Sequence, residues 1–350
     1  MSNRFKRLVV GIVVPAAIVL SVFVIYFLIW RQPGRQPLVV YCAHDMVYAQ
    51  QIFDAFEKKT GIKVEVRSDS ELTKSLGLTE LLIAEKEKPR CDVFWNNQWL
   101  GTADLNQHEL LLPYKGPGYE RIPQGFKDPD GYFAGFAGRL RVWIVNTDKI
   151  QATPEAIEQL VAEKPQRVAI AKPMFGTTLS HYTVLWHAWG EKKLKDWHHD
   201  WRKRGVIERG GNATTKNLVA QGACYAGLTD TDDYFVAVDA KKPVAMVPVR
   251  VGSDKSPQSG RTLLMPNTVA IIKGTQRLED AKKLVDFLLS QEVELMLAAS
   301  RSRQIPLGQV DQSQLNDEVK LLSKWAQSGY PLTDLAESRT QCLEWLKSEY

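Results

Sequence analysis

The sequence predicts an α/β protein of two lobes joined by a hinge, preceded by one N-terminal transmembrane helix. Three observations carry this. Leu8 to Trp30 is an uninterrupted uncharged run. The chain from Leu38 to Trp95 then alternates short apolar stretches with helix-period stretches. A second α/β alternation begins at Arg141, and a strand-rich return follows at Arg261 to Ile272. At 350 residues the chain has room for two cores.

The apolar run is long enough to cross a bilayer, for which about 20 residues suffice. It exceeds the core of a cleaved signal peptide, and Trp30-Arg31-Gln32-Pro33-Gly34-Arg35 offers no small-x-small cleavage site. Cys42 follows Val39-Val40-Tyr41, so a lipoprotein signal fails as well. Residues 1–36 are therefore expected to be a retained membrane anchor, with residues 8–30 in the inner (plasma) membrane and the large C-terminal part exported. Basic residues at both ends favour a cytoplasmic N-terminus only weakly.

Five of the 45 Lys and Arg residues precede residue 37, whereas all 40 acidic residues follow it. The remainder is formally neutral, which excludes a nucleic-acid footprint. The basic run Lys192 to Arg204 reads as a solvated helix face anchored by Trp197 and Trp201. Cys42, Cys91, Cys224 and Cys342 lack zinc-type spacing; if any pair forms, Cys42 with Cys91 is the best candidate.

Leu38 to Tyr41 reads as a buried strand and the segment to Lys59 as a helix with Gly61 at its C-cap. Ile62 to Arg67 alternates as a strand, a helix covers about 71–86, and Cys91 to Trp95 is a third strand. No period is visible from Pro113 to Gly138, which suggests loops. Arg141 to Val145 is a strand, and Thr153-Pro154 starts a helix. Strands at 167–171, 206–208 and 224–228 each precede a helix. Helices then follow at 279–290 and 291–299, with a helical tail over 315–347.

In open α/β sheets ligands bind beyond the carboxyl ends of the strands. The loops placed there carry His44 and Asp45, Asn96 and Asn97, Gly176-Thr177-Thr178 with His181, Asn212, and the run Thr229-Asp230-Thr231-Asp232-Asp233. The acidic run also suits plain helix capping. Gly176-Thr177-Thr178 has the make-up of an anion site at a helix start. Arg139 and Arg141 flank the presumed hinge; one alternates inward and either could clamp an anion, a surface salt bridge being the default. No G-x-S-x-G, H-E-x-x-H, P-loop or G-x-G-x-x-G occurs, so binding without turnover is the simpler account.

Leu38 to Leu307 resembles the extracellular solute-binding proteins of ABC transporters, in the ferric-iron-type group. The residues that carry the resemblance are AFEKKTGIKVEV (55–66), CDVFWNNQ (91–98), AGRLRVWIVNTDK (137–149), KPMFGTTLSH (172–181), GLTDTDD (227–233), MPNTVAIIKG (265–274), DFLLSQEVELMLA (286–298) and RQIPLG (303–308). The resemblance implies the type 2 periplasmic-binding-protein fold, with 37–138 and 263–306 as one lobe and 139–262 and 307–350 as the other. It also implies a small solute captured in the interlobe cleft and delivered to permease and ATPase subunits. By position, His44 or Asp45, Asn96 and Asn97 would contribute from the first lobe, and Arg139, Thr177, Thr178, His181, Asn212 and Thr229 to Asp233 from the second. Iron-binding members place two adjacent tyrosines where this chain has Asp232-Asp233. Three solutes fit this pattern: an anion, such as a phosphorylated compound, on Arg139, Thr177, Thr178 and Asn212; a metal ion or chelate on Asp230, Asp232 and Asp233 with a histidine; or an organic cation on the acidic run. An anchored sensor, or an enzyme on the same fold, is the alternative.

Overall fold

The computed structural model describes residues 36–69, 76–252 and 260–350. The predicted membrane run at 8–30 and the first residues of the helix expected from Glu71 lie outside them. Among the described residues no helix is long and apolar enough to cross a membrane.

The expected β-α-β-α-β unit is present as β1 (Leu38–Cys42), α1 (Met46–Thr60), β2 (Val64–Ser68), α2 (Leu76–Ala84) and β3 (Val93–Asn96). β1 lies between β2 and β3 and runs parallel to both, with Val40 opposite Val66 and Val93. Helix α1 buries Tyr48, Ala49, Ile52, Phe53 and Phe56, a spacing of three and four that lines up one face. It stops at Gly61, whose φ of 70° lets its N–H reach the Glu57 carbonyl at 2.8 Å. Helix α3 (Trp99–Gln107) follows β3 directly, and β4 (Leu111–Leu112) and α4 (Pro117–Arg121) precede the long strand β5 (Phe133–Asn146).

β5 begins inside the stretch expected to be loops. It is buried on both faces except at Trp143, so it shows no alternation to read. After it come α5 (Pro154–Glu163), β6 (Val168–Ile170), α6 (Gly176–Trp189), α7 (Glu191–Lys203), β7 (Ile207–Glu208), α8 (Asn212–Ala220), β8 (Ala226–Asp230), α9 (Thr231–Asp239), β9 (Val244–Pro248), β10 (Arg250–Val251) and β11 (Arg261–Thr262). The chain returns through β12 (Leu264–Ile272) to α10 (Leu278–Leu288) and α11 (Gln291–Ala299). Its tail is two helices, α12 (Asp317–Ala326) and α13 (Ala336–Glu349), separated at Gly329-Tyr330-Pro331.

The strand order is β2-β1-β3-β12-β5-β8-β6-β7. The first part of β5 pairs antiparallel with β12, and its second part pairs with β8 and β9. The register between β5 and β12 shifts at Pro266/Asn267, where Gly138 faces Pro266 and Phe136 faces Asn267, leaving Ala137 as the extra residue. Ala137 has φ of 39°, in the left-handed region. Its backbone groups go elsewhere: its N–H donates to Glu294 at 2.8 Å and its carbonyl accepts from Asn267 Nδ2 at 2.6 Å. Fully buried Glu294 also accepts from Leu307 N at 2.7 Å and Gly308 N at 3.1 Å, and it pairs with Arg121.

All four cysteines are free and buried, so the Cys42–Cys91 pairing is not realised. Cys42 lies at the end of β1, opposite Trp95, while Cys91 precedes the other end of β3. Replacing Glu294 with Ala removes the acceptor shared by three backbone N–H groups and an arginine. We expect a loss of about 3–5 kcal/mol of stability in urea unfolding, the range for breaking a buried charge pair.

Candidate functional site

Parallel strands β6, β7 and β8 end side by side, and the helices that follow them point their N-termini at one cavity of about 340 Å³. Its wall includes Gly176, Thr177 and Thr178 from α6, Gly211, Asn212, Ala213 and Lys216 at the start of α8, and Asp230, Asp232 and Asp233 around the start of α9. Lys172, just beyond β6, stands on the same wall. Asp45 and Tyr48, from the start of α1, and Asn97, after β3, close it from the other half of the sheet, and Arg139 of β5 reaches it from below.

A buried charge network braces this wall. Asp230, opposite Arg141 in the β5–β8 register, accepts from Arg141 Nη1 at 2.8 Å and from Arg139 Nε at 3.3 Å. Thr177 Oγ1 at 2.5 Å and Asn212 Nδ2 at 3.0 Å also donate to it. Arg139 lies 3.5 Å from Asp232 Oδ2 and donates to the Asn97 carbonyl at 2.9 Å, so it ties the two sides of the cavity together. Asn212 Oδ1 accepts from Arg141 at 3.0 Å and from Thr178 at 3.2 Å. Burial alone would raise the Asp230 pKa, yet the Arg141 and Arg139 guanidiniums hold it below the ordinary carboxylate range. Burial and the charges of Asp232, Asp230 and Asp45 push Asp233 well above it.

Of the residues singled out in the sequence, Asp45, Asn97, Arg139, Thr177, Thr178, Asn212, Asp230, Asp232 and Asp233 line the cavity. His44, Asn96, His181, Thr229 and Thr231 do not. His44 stacks on Trp95 with ring centroids 5.3 Å apart, and its Nε2 meets Gln304 at 3.0 Å. Asn96 is fully buried and bonds Thr102 at 3.2 Å. Thr229 donates to Asp233 at 3.0 Å, and Thr231 accepts from the Leu140 N–H at 3.3 Å. These are supports behind the wall. Asp230 does occupy the N-cap position of α9, but its carboxylate turns to the arginines and caps nothing.

The expectation that only one of Arg139 and Arg141 points inward is corrected: residues two apart in a strand share a face, and both are buried. Arg141, weighed in the sequence only as an alternative to Arg139, is the closer arginine to Asp230, and the two-residue spacing could have shown that both point the same way. Lys172 and Lys216 were missed; Lys216 stands one helical turn beyond Asn212. Of Asp230, Asp232 and Asp233, expected as possible metal ligands, Asp230 is committed to two arginines and Asp232 pairs with Arg139. Among the described residues no group of three or more His, Cys, Asp or Glu could hold a metal ion.

Burial and the neighbouring Arg141 lower the His181 pKa from 6.5 to about 3. Between those values the folded protein keeps the ring neutral while the unfolded chain takes up a proton. Stability from this group is therefore full above pH 6.5 and is lost as pH falls, by about 1.4 kcal/mol per pH unit. His198, lowered to about 4, adds to the same trend. Chemical unfolding from pH 6.5 downward should show this slope, reduced by about one proton in His181→Gln.

The family model for bacterial extracellular solute-binding proteins matches residues 51–326. The major ferric iron-binding protein of Neisseria meningitidis serogroup A is 28% identical over 285 residues, covering 77% of this chain and 81% of that protein. Iron uptake protein A1 of Synechocystis is 25% identical over 283 residues, covering 76% and 75%. Among solved structures, iron-bound HitA from Pseudomonas aeruginosa superposes with a TM-score of 0.76 at 19% identity over 89% of this chain and 98% of that one. AfuA from Actinobacillus pleuropneumoniae, with fructose-6-phosphate bound, gives 0.69 at 22% identity over 89% and 98%. The fold is thus that of the two-lobed periplasmic binding proteins. The chain belongs to the bacterial extracellular solute-binding proteins.

Proposed function

We propose that this protein is a membrane-anchored receptor of an ABC importer and that its solute is a small anion, such as a phosphorylated compound. Residues 8–30 hold it at the inner membrane, and the soluble part presents the closed lobes to permease and ATPase subunits. One lobe comprises 37–138 and 263–306 and the other 139–262 and 307–350. The exchange of partners along β5, from β12 to β8 and β9, supports a hinge near residue 140. A solute that touches both walls stabilises the closed form.

The observation that carries the anion reading is the pair of helix starts on the cavity. Neither α6 nor α8 has a side-chain N-cap, so the N–H groups of their first turns face the cavity with the positive ends of both dipoles. Lys172 and Lys216 add two cations to that wall. Of the carboxylates on the same wall, Asp230 and Asp232 pair with Arg139, and burial with the neighbouring carboxylates pushes the Asp233 pKa well above the ordinary range. A phosphate or carboxylate group suits this arrangement. A ferric ion held in the family's manner does not, since Asp232 and Asp233 stand where the resemblance places two tyrosines.

Isothermal titration of the detergent-solubilised protein with fructose 6-phosphate, inorganic phosphate and ferric citrate tests this. One phosphorylated or phosphate ligand should bind per chain, and Lys216→Ala or Thr178→Ala should weaken it at least about tenfold, roughly one charge-assisted hydrogen bond. Saturable ferric binding without response to either phosphate compound would contradict the anion reading.

A further inference from the structure

Helix α13 lies outside the cavity, yet it holds one element from each of its walls. Its buried face is formed by Arg339, Cys342, Leu343 and Leu346, with Trp345 beside them. Arg339 Nη1 contacts Asp104 Oδ2 at 2.7 Å, the two side chains being only 5% and 15% exposed. Asp104 belongs to α3, the helix that starts two residues after the cavity residue Asn97. On its other flank, Gln341 accepts from Trp186 Nε1 of α6 at 3.2 Å, and the Trp186 and Trp345 rings lie 5.8 Å apart. α6 is the helix whose first turn carries Thr177 and Thr178. Beyond the helix end, the Tyr350 hydroxyl donates to Glu208 at 2.5 Å, and the cavity residue Lys172 sits 4.5 Å from the Tyr350 ring.

A buried ion pair is a poor way to gain stability, because the cost of removing both charges from water offsets most of their attraction. Arg339 adds to that cost, since its Nε is buried without a partner. Apolar side chains of similar volume at 104 and 339 would pack without this cost. What the pair does supply is direction: a 2.7 Å contact is satisfied in one placement of α3 against α13, and a small shear breaks it. The apolar contacts between α13 and α6 are less particular and tolerate sliding.

We propose that α13 is an interlobe brace: the Arg339–Asp104 pair fixes the separation of the two cavity walls, so that closure on solute is tuned from a helix the solute never touches. This rests on the two-lobed reading, under which α3 and α6 belong to bodies that move apart on opening. Chain length beyond the last strand thereby acquires a mechanical role in place of a purely structural one.

Hydrogen exchange of the full chain, read by mass spectrometry without any solute, tests the brace independently of what the solute is. Arg339→Gln and Asp104→Asn should each speed exchange at least tenfold in peptides covering 97–101 and 176–180, while the α1 and α10 cores keep their parental protection. The exchanged pair, Arg339→Asp with Asp104→Arg, should restore slow exchange at both walls. Unchanged exchange at the walls, or a rise spread evenly through the chain, overturns the proposal. If the neutral variants do not fold, Arg339→Lys, which keeps the charge but loses the guanidinium fork, decides it by the same two peptides.

Discussion

Two arginines on one face of β5 and one aspartate at the end of β8 hold the centre of this structure. Asp230 sits 2.8 Å from Arg141 and 3.3 Å from Arg139, with all three side chains nearly or fully buried. Such a cluster is stable only if every charge has a partner, and removal of any member strands the others at a cost of several kcal/mol. Because β5 runs through both parts of the sheet, the cluster sits where the strand changes partners. Arg139 then extends from it to the Asn97 carbonyl, so the same charges that satisfy Asp230 also register one cavity wall against the other.

That commitment decides what the cavity can offer a solute. A run with three carboxylates looks like a cation or metal site when read as a string, yet Asp230, on the cavity wall, pairs with two arginines and Asp232 leans on Arg139. Thr177 and Asn212 likewise spend side-chain groups on the network. Helices α6 and α8 start on the cavity without side-chain caps, beside Lys172 and Lys216. Under the proposed function, these helix starts and lysines favour an anion, while Asp45 stands on the opposite side.

Much of this was legible in the sequence where period and punctuation agree. The β-α-β unit from Leu38 to Trp95 and the Gly61 cap could be read because β1 to β3 are short apolar runs and α1 has one apolar face. Thr153 with Pro154 announced α5, and the Thr153 hydroxyl does accept from Ala156 N at 3.2 Å. The first part of β5 was not legible, because Phe133 to Gly138 is buried on both faces and carries a bulge that breaks the alternation. Helix α3 escaped for a similar reason: Trp99 to Thr102 are all buried, so its first turn shows no polar face. The loops bearing the cavity were found from strand ends alone. Which side chains face the cavity and which brace it was not, since His44, Asn96, His181, Thr229 and Thr231 carry the same polar chemistry as the lining residues.

Under the proposed function, helix starts, and not carboxylates, contact the solute. Backbone amide chemical shifts of the isotope-labelled protein during titration with inorganic phosphate test it most directly. The account predicts saturable shifts concentrated at Gly176 to Thr178 and at Asn212 and Ala213. Shifts confined to the neighbourhood of Asp45, Asp232 and Asp233, or none that saturate, would contradict it.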